Sequence, residues 1–134
     1  MRIAYALEPE LTAEEFRAVL VASSLSQRRP ADDAQRLQRM LRGADIVLTA
    51  RDEGRLIGVS RAITDFAYCC YLSDLAVDAA YQRQGIGRHL IGQTHAAAGE
   101  GTTLILIAAP AAEEYYPKIG MQPVKSCWAI PRAK

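Results

Sequence analysis

Two glycines that follow a short polar turn form the most chemically informative stretch of the sequence. An apolar run precedes the turn, and Gly85 and Gly87 open a segment whose apolar residues recur at helical spacing. Glycines let the backbone approach a ligand closely, and the first turn of a helix presents unpaired N–H groups at the positive end of its dipole. This pattern predicts an anion-binding loop with Arg83 and Arg88 at its rim. The alternative is an ordinary helix start in which the glycines only relieve crowding.

Two well-known phosphate-binding loops do not match this stretch. A P-loop requires Lys and then Ser or Thr after its last glycine, whereas Arg88 and His89 follow Gly87. A dinucleotide-binding loop requires a third Gly or Ala, but the position three after Gly87 is Leu90, and the next apolar run ends without an acid to bind ribose. Both readings therefore fail.

The elements that must position this loop are indicated by caps, turns and periodicity. Thr12 and Glu15 form a capping box, and Asp32 is placed to cap a second helix that Gly43 ends. The Asp52-Glu-Gly54 segment has the turn chemistry of a hairpin. The elements predicted before the loop are helices over about 13–22 and 32–43 and strands over about 46–50, 56–63 and 68–77.

The strand over about 68–77, the helix after the glycines and the strand that follows this helix are predicted to form a parallel crossover connection. The helix covers about 86–98, and the apolar, partly β-branched run 102–109 predicts a strand that is buried on both faces. A short helix over 111–116 and a last strand over about 126–130 complete the chain. The predicted class is therefore α/β, with a central mixed sheet flanked by helices.

Length and charge limit the classes of function. The chain has 134 residues, with 16 Lys and Arg against 15 Asp and Glu, which predicts one domain of ordinary size and gives a net charge of +1. A near-neutral chain argues against bulk electrostatic binding to nucleic acid or to a membrane surface. The sequence shows no signal peptide, no apolar run of about 20 residues and no CxxC spacing among its three cysteines. We expect a cytoplasmic protein without a metal site.

The glycine stretch resembles the hallmark of the GNAT acyl-CoA N-acyltransferase superfamily. Gln82-Arg-Gln-Gly85-Ile-Gly87 matches its Gln/Arg-x-x-Gly-x-Gly/Ala motif in full. Leu75-Ala-Val77 closes the preceding strand as in the family, and Tyr116-Pro-Lys-Ile-Gly-Met121 is similar to its later Tyr-x-x-x-Gly-Phe segment. The resemblance covers about residue 56 to the C-terminus. It implies a single GNAT-type domain over 1–134, in which the parallel strands 72–77 and 103–109 splay apart.

The resemblance implies acetyl-CoA as co-substrate and no metal. The glycine loop would hold the pyrophosphate of coenzyme A through backbone N–H groups. The preceding strand would pair by backbone with the pantetheine arm, as a peptide adds to a sheet edge. The cofactor-binding residues implied in this way are Leu75, Ala76, Val77, Gln82, Arg83, Gln84, Gly85, Ile86, Gly87 and Arg88.

The implied reaction is direct attack of a primary amine on the acetyl thioester in a ternary complex. Tyr116 matches the family's Tyr, whose hydroxyl protonates or hydrogen-bonds the departing thiolate. Tyr115 is the second candidate for this role. The alternative is that Tyr116 only packs at a helix end.

The candidate general base is an acid on the strand before the glycine loop. Strand alternation predicts Tyr71, Ser73 and Leu75 on one face and Asp74 on the other. Family members carry a Glu near Tyr71 or at Ser73, and this chain has none there. Asp74 is therefore the candidate base or amine anchor; the alternative is a strand carboxylate satisfied by backbone or by an Arg.

The acceptor is predicted to be a small molecule or an amino-acid derivative. In the family the loop at 23–31 shapes the acceptor pocket, and Arg28 and Arg29 within it point to an acidic or carboxylate-bearing acceptor.

Trp128 and Ile130 are assigned to the core or to a homodimer contact. A different class of function is a non-catalytic acyl-CoA sensor, favoured by the missing Glu and opposed by Tyr116. A toxin that acetylates charged tRNA is disfavoured by the absence of a basic face.

Overall fold

The computed structural model describes residues 2–133, and in that range five strands and four α-helices form a mixed sheet with helices on both faces. None of these helices is both long and apolar enough to cross a membrane. In chain order the elements are β1 (Ile3–Leu7), α1 (Ala13–Ala22), α2 (Ala34–Gly43), β2 (Ile46–Asp52), β3 (Arg55–Thr64), β4 (Cys69–Val77), α3 (Ile86–Ala98), β5 (Thr103–Ile105) and α4 (Tyr115–Lys118). Short 3₁₀ helices lie at Leu25–Arg28, Ala79–Tyr81 and Pro110–Ala112.

The sheet has the order β1-β2-β3-β4-β5 and confirms the predicted α/β class with mixed pairing. The first four strands are antiparallel, and β5 alone lies parallel to its neighbour β4. The hairpin between β2 and β3 turns at Glu53 and Gly54, which both have positive φ. Two successive residues of positive φ are what a two-residue hairpin loop requires, and Gly54 adopts this conformation without steric cost.

Helices cover the two faces of the sheet unequally. On one face α3 packs against a cluster that includes Ile57, Leu72 and Leu90. It comes so close that a Cβ at Gly58 would lie 3.2 Å from the Leu90 Cδ1 atom. On the other face α1 and α2 bury a second cluster. The glycine at 58 therefore fixes how closely α3, and the loop before it, approach the sheet.

A β-bulge interrupts β4 in its middle. Ala62 of β3 pairs with Leu72, whereas the adjacent Arg61 pairs with Asp74, so Ser73 has no partner in the ladder. The extra residue shifts the alternation of side chains. Arg61 and Ile63 lie two residues apart on β3, so their side chains lie on the same face. Because Arg61 pairs with Asp74 and Ile63 pairs with Tyr71, Tyr71 and Asp74 also lie on that face. The predicted alternation, which set these two side chains on opposite faces, is wrong because of this bulge.

The two parallel strands part soon after they meet. β5 pairs with β4 only from Thr103 to Ile105, whereas β4 continues to Val77. The predicted splay is present, but the strand expected over 102–109 ends at Ile105. It is also not buried on both faces, because Ile105 and Ile107 are 45% and 59% exposed. An edge position with no further strand beside it accounts for this exposure.

The C-terminal elements differ most from the sequence predictions. In place of one helix over 111–116 there is a 3₁₀ turn and then α4, whose Pro117 lies in the first turn, where a missing N–H is tolerated. The strand expected over 126–130 is absent, and this segment is not part of the sheet formed by the described strands. Trp128 and Ile130 are 90% and 98% exposed, so the assignment to the core is wrong. The dimer contact stays a prediction.

Two smaller differences concern the N-terminal half. The cap of α2 is Asp33, whose side chain accepts from the Arg36 N–H at 3.0 Å, rather than the predicted Asp32. The edge strand β1, which pairs with β2, was not predicted.

Candidate functional site

A cleft of about 650 Å³ opens where β4 and β5 part. Its walls come from β4, from the chain between α1 and α2, and from the segment that follows β5. Of the predicted site residues, the structure brings five together in this cleft: Leu75, Ala76, Val77, Gln82 and Tyr116. The rest of the glycine loop and Asp74 do not line it.

The open edge of β4 supplies backbone groups to the cleft. Alternate residues of an antiparallel strand turn their N–H and C=O groups to opposite edges. Since the Asp78 N–H donates to the Ile57 carbonyl of β3 at 2.8 Å, Leu75 and Val77 turn theirs away from β3, toward the cleft. The Val77 carbonyl accepts from Gln82 Nε2 at 3.0 Å. Ala76 turns its peptide groups toward β3, which confines the predicted backbone pairing to Leu75 and Val77.

The loop before α3 has a backbone shaped by two residues of positive φ. Gly85 has a φ of +82° and Arg83 a φ of +65°. An L-residue with a side chain pays about 1 kcal/mol or more for this conformation, so Arg83 stores strain in the loop. Such local strain is typical of segments that serve a binding function.

The start of α3 leaves backbone donors available. Its N-cap is Gly85, which has no side chain to accept a hydrogen bond, and the first helical bond runs from the His89 N–H to the Gly85 carbonyl at 3.0 Å. The N–H groups of Ile86, Gly87 and Arg88 therefore have no acceptor within the helix. The Ile86 side chain is buried in the core and anchors this turn, whereas the Arg88 side chain is exposed. The arrangement suits an anionic ligand.

The two adjacent tyrosines of α4 take different positions. Tyr116 is half-buried and lines the cleft, whereas Tyr115 does not. The Tyr115 hydroxyl lies near the glycine loop instead, 3.6 Å from where a Cβ on Gly87 would be. Their rings meet edge to face with centroids 5.3 Å apart. Burial, and to a lesser extent Tyr115, raise the pKa of Tyr116 above its ordinary 10.0, so its hydroxyl carries a proton at neutral pH.

Asp74 is fully buried between two arginines. One carboxylate oxygen accepts from Arg29 Nε and the other from Arg61 Nε. The same guanidinium groups reach the bulge, where Arg29 donates to the Ser73 carbonyl at 2.7 Å and Arg61 to the Ser73 hydroxyl at 3.0 Å. Both oxygens of the Asp74 carboxylate are therefore engaged by arginine. This geometry fits the alternative of a strand carboxylate satisfied by arginine better than it fits a base.

A second cavity of about 670 Å³ adjoins the cleft. The two share Gln27, Arg28, Arg29, Ser73 and Ile107, so they meet between the chain at 27–29 and the bulge of β4. The charged residues that line the second cavity are all arginines: Arg28, Arg29, Arg36, Arg61 and Arg132. Arg28 and Arg29 were singled out in the sequence. The other three were missed because they lie in three separate elements, and no local signal links them.

Residues 2–133 contain no cluster of side chains that could bind a metal ion. No group of three or more His, Cys, Asp or Glu side chains is placed as metal ligands would be.

Comparison with protein families identifies the chain. The family model for the acetyltransferase (GNAT) domain matches residues 9–127. The chain therefore belongs to the GNAT acetyltransferase family. A search of curated proteins gives no significant match.

Solved structures of similar proteins share the fold over almost the full chain. The probable acetyltransferase SA2161 from meticillin-resistant Staphylococcus aureus, a protein of unknown function, superimposes with a TM-score of 0.81 at 22% identity, covering 99% of both chains. The GNAT family protein SP0256 from Streptococcus pneumoniae gives 0.78 at 18% identity, covering 99% and 98%.

One of the similar structures contains coenzyme A. Aminoglycoside N-acetyltransferase AAC(6')-Iy, in complex with CoA, gives a TM-score of 0.75 at 15% identity and covers 99% of this chain and 96% of its own. At such identities the likeness extends to the fold and not to the acceptor.

Proposed function

We propose that the protein is an acetyl-CoA-dependent N-acetyltransferase that acts on a primary amine of a small molecule or amino-acid derivative. The observation that carries this proposal is that the open edge of β4 and a protonated Tyr116 line one cleft beside the glycine loop. Gln82 of that loop lines the cleft, and a Cβ at Gly87 would lie 3.8 Å from the Val77 side chain at the end of β4.

The donor is bound mainly by main-chain groups. The pyrophosphate of coenzyme A accepts from the N–H groups of Ile86, Gly87 and Arg88, at the positive end of the α3 dipole. Arg83, on the exposed rim, adds charge. The pantetheine arm runs along the open edge of β4 and pairs with the peptide groups of Leu75 and Val77, as an added strand would. The thioester then lies in the cleft beside Tyr116.

The acetyl group is transferred in one ternary complex. The neutral amine attacks the thioester carbon and forms the C–N bond, and the resulting oxyanion accepts from a peptide N–H on the open edge of β4. When the C–S bond breaks, the thiolate takes the proton of the Tyr116 hydroxyl. The amine nitrogen loses its extra proton to water, which also restores the tyrosine.

In this proposal Asp74 has a structural role and does not act as a general base. Its two oxygens hold Arg29 and Arg61, and through them the Ser73 bulge at which the two cavities meet. An amine that arrives deprotonated needs no base on the enzyme. Asp74 therefore positions the arginines and does not receive the proton.

The second candidate is an acyl-CoA-binding sensor without catalytic activity. The missing family Glu favours it, since no carboxylate lines either cavity within the described residues. The placement of Tyr116 in the cleft favours the enzyme, because a sensor has no need of an acid beside the thioester.

A thiol-release screen against a panel of amines, together with calorimetry of acetyl-CoA binding, separates these functions. The enzyme binds acetyl-CoA and releases CoA only when a suitable amine is present. Tight binding without release across the panel supports the sensor. Failure to bind acetyl-CoA would overturn both.

A further inference from the structure

The charge of the second cavity is the feature that the proposed function leaves unexplained. Five arginines line it, and none of its lining residues within 2–133 is Asp or Glu. The chain as a whole has a net charge of only +1, so these arginines are concentrated in one place rather than typical of the surface. They come from the 3₁₀ turn after α1, from α2, from β3 and from the C-terminal segment.

The internal partners of these arginines account for only part of their charge. The single carboxylate of Asp74 is shared between Arg29 and Arg61, which leaves that group with a net positive charge. The side chains of Arg28 and Arg132 make no hydrogen bond or ion pair with other described residues, and both are exposed. Arg28 and Arg132 therefore give the cavity positive charge that no described residue pairs with.

The position of the cavity relates this charge to the reaction. It meets the acyl-CoA cleft at Ser73, where the β4 bulge lies between Arg29 and Arg61. A molecule in the cavity would reach the cleft at this junction, which Arg28, Arg29 and Ser73 line on both sides. Its remaining groups would then lie among the arginines.

We infer that the acceptor is a small amine that also carries a carboxylate or phosphate group, held by Arg28 and Arg132 while the amine reaches the cleft at Ser73. The inference rests on the proposed acetyltransferase function. Arginine binds both kinds of anion through paired, charge-assisted hydrogen bonds. The same charge disfavours polycationic acceptors, because bringing a cation next to Arg28 and Arg132 costs energy.

Matched pairs of amines test the inference. One arm compares α-amino acids with their carboxamides, and the other compares O-phosphoethanolamine with ethanolamine. Amidation lowers the pKa of the neighbouring amine and raises its neutral fraction, so intrinsic reactivity favours the amide. We nevertheless expect kcat/KM to be at least about ten-fold higher for the anionic member of one arm, as one charged hydrogen bond provides. The arm that responds identifies the anion.

Arg132→Gln separates acceptor binding from donor binding, since Arg132 lines the second cavity and not the cleft. The KM of the anionic acceptor is expected to rise about five- to ten-fold, as expected for the loss of a partly exposed ionic contact. kcat, and the KM of acetyl-CoA, should stay unchanged. Arg39→Gln is the matched control, because Arg39 is an exposed arginine of α2 that lines neither cavity.

The outcomes distinguish this inference from the function on which it rests. CoA release that is equal or faster with the neutral members, or an unchanged acceptor KM in Arg132→Gln, would overturn the anionic acceptor and leave the acetyltransferase standing. No release with any amine would overturn the acetyltransferase itself.

Discussion

The two cavities that meet at the β4 bulge are nearly equal in size but differ in chemistry. The cleft, at about 650 Å³, offers peptide groups, apolar side chains and one tyrosine, and its only charged lining residues among those described are Arg28 and Arg29, which it shares with the second cavity. The second cavity, at about 670 Å³, presents five arginines. In our proposal the donor is therefore recognised by main chain and the acceptor by side chains.

This difference explains why one cavity can be inferred from a short motif and the other cannot. Main-chain recognition depends on where glycines let the backbone turn and approach a ligand, and such positions are contiguous in sequence. Side-chain recognition here depends on arginines up to about a hundred positions apart, since Arg29 and Arg132 meet only in the folded chain.

The largest effect is expected at the carboxylate that organises the second cavity. Asp74→Asn removes the anion between Arg29 and Arg61, and leaving buried charges uncompensated costs about 3–5 kcal/mol. Urea unfolding measures the loss. The control is Asp32→Asn, which breaks an exposed pair with Arg17 at 3.5 Å and should cost less than about 1 kcal/mol. Unchanged stability with turnover lost at saturating amine would instead make Asp74 the base.

The next effect is expected in the main-chain cleft. Gly87→Asp places a carboxylate against the donor phosphates and should weaken acetyl-CoA binding by more than about 100-fold, since like charges in contact cost several kcal/mol. A Cβ at Gly87 meets only ordinary contacts, so the fold should survive. Gly85→Asp should abolish binding too, but its φ of +82° adds backbone strain.

Gly92→Asp is the matched control for Gly87→Asp, because Gly92 lies on the same helix with nothing within 4 Å of its added Cβ. Calorimetry measures the affinity of both variants for acetyl-CoA. Equal binding in the two variants would count against donor recognition by this loop.

Tyr116→Phe is expected to reduce kcat by about 100-fold while the KM of acetyl-CoA changes little, as for the loss of a general acid. Tyr115→Phe is the control, since its hydroxyl lies by Gly87 rather than in the cleft. If Tyr115→Phe lowered kcat and Tyr116→Phe did not, the acid would be reassigned to Tyr115.

The smallest expected effect is on the pH dependence of kcat/KM, which tests the assignment of Tyr116 as the acid. In our proposal Tyr116 acts in its protonated form. Burial raises its pKa above 10.0, so the acid would be retained through neutral pH and lost only as pH rises through that raised value. kcat/KM should therefore rise with pH as the amine loses its proton, then level off, with a falling limb only above about pH 10. The falling limb should be missing in Tyr116→Phe. A fall that begins near pH 8 would exclude Tyr116 as the acid.

Elements with their own capping residues were predictable from the sequence. The Thr12 hydroxyl accepts from the Glu15 N–H at 3.1 Å, and α1 has the predicted bounds. The helix predicted over 86–98 is also present as α3, which begins after Gly85 and ends before Gly99. The signals for these boundaries lie within one or two turns of the boundary itself.

Elements that depend on a distant partner were not predictable. The run after Ile105 is as apolar as a strand but leaves the sheet, because β4 and the chain after β5 diverge. The bulge at Ser73 changes which face carries Tyr71, and it is defined only by pairing with β3. The arginine pair around Asp74 depends on the same pairing, together with the loop that brings Arg29 across from α1.

The exposed C-terminal segment gives the protein an optical probe. Trp128 is the one tryptophan in 134 residues, it is 90% exposed, and it lies four positions before Arg132 of the second cavity. Its fluorescence comes from a single site in contact with water, so any change in emission can be assigned without removing other fluorophores of its kind. An acceptor titration can therefore be followed by the wavelength of that emission, without a label.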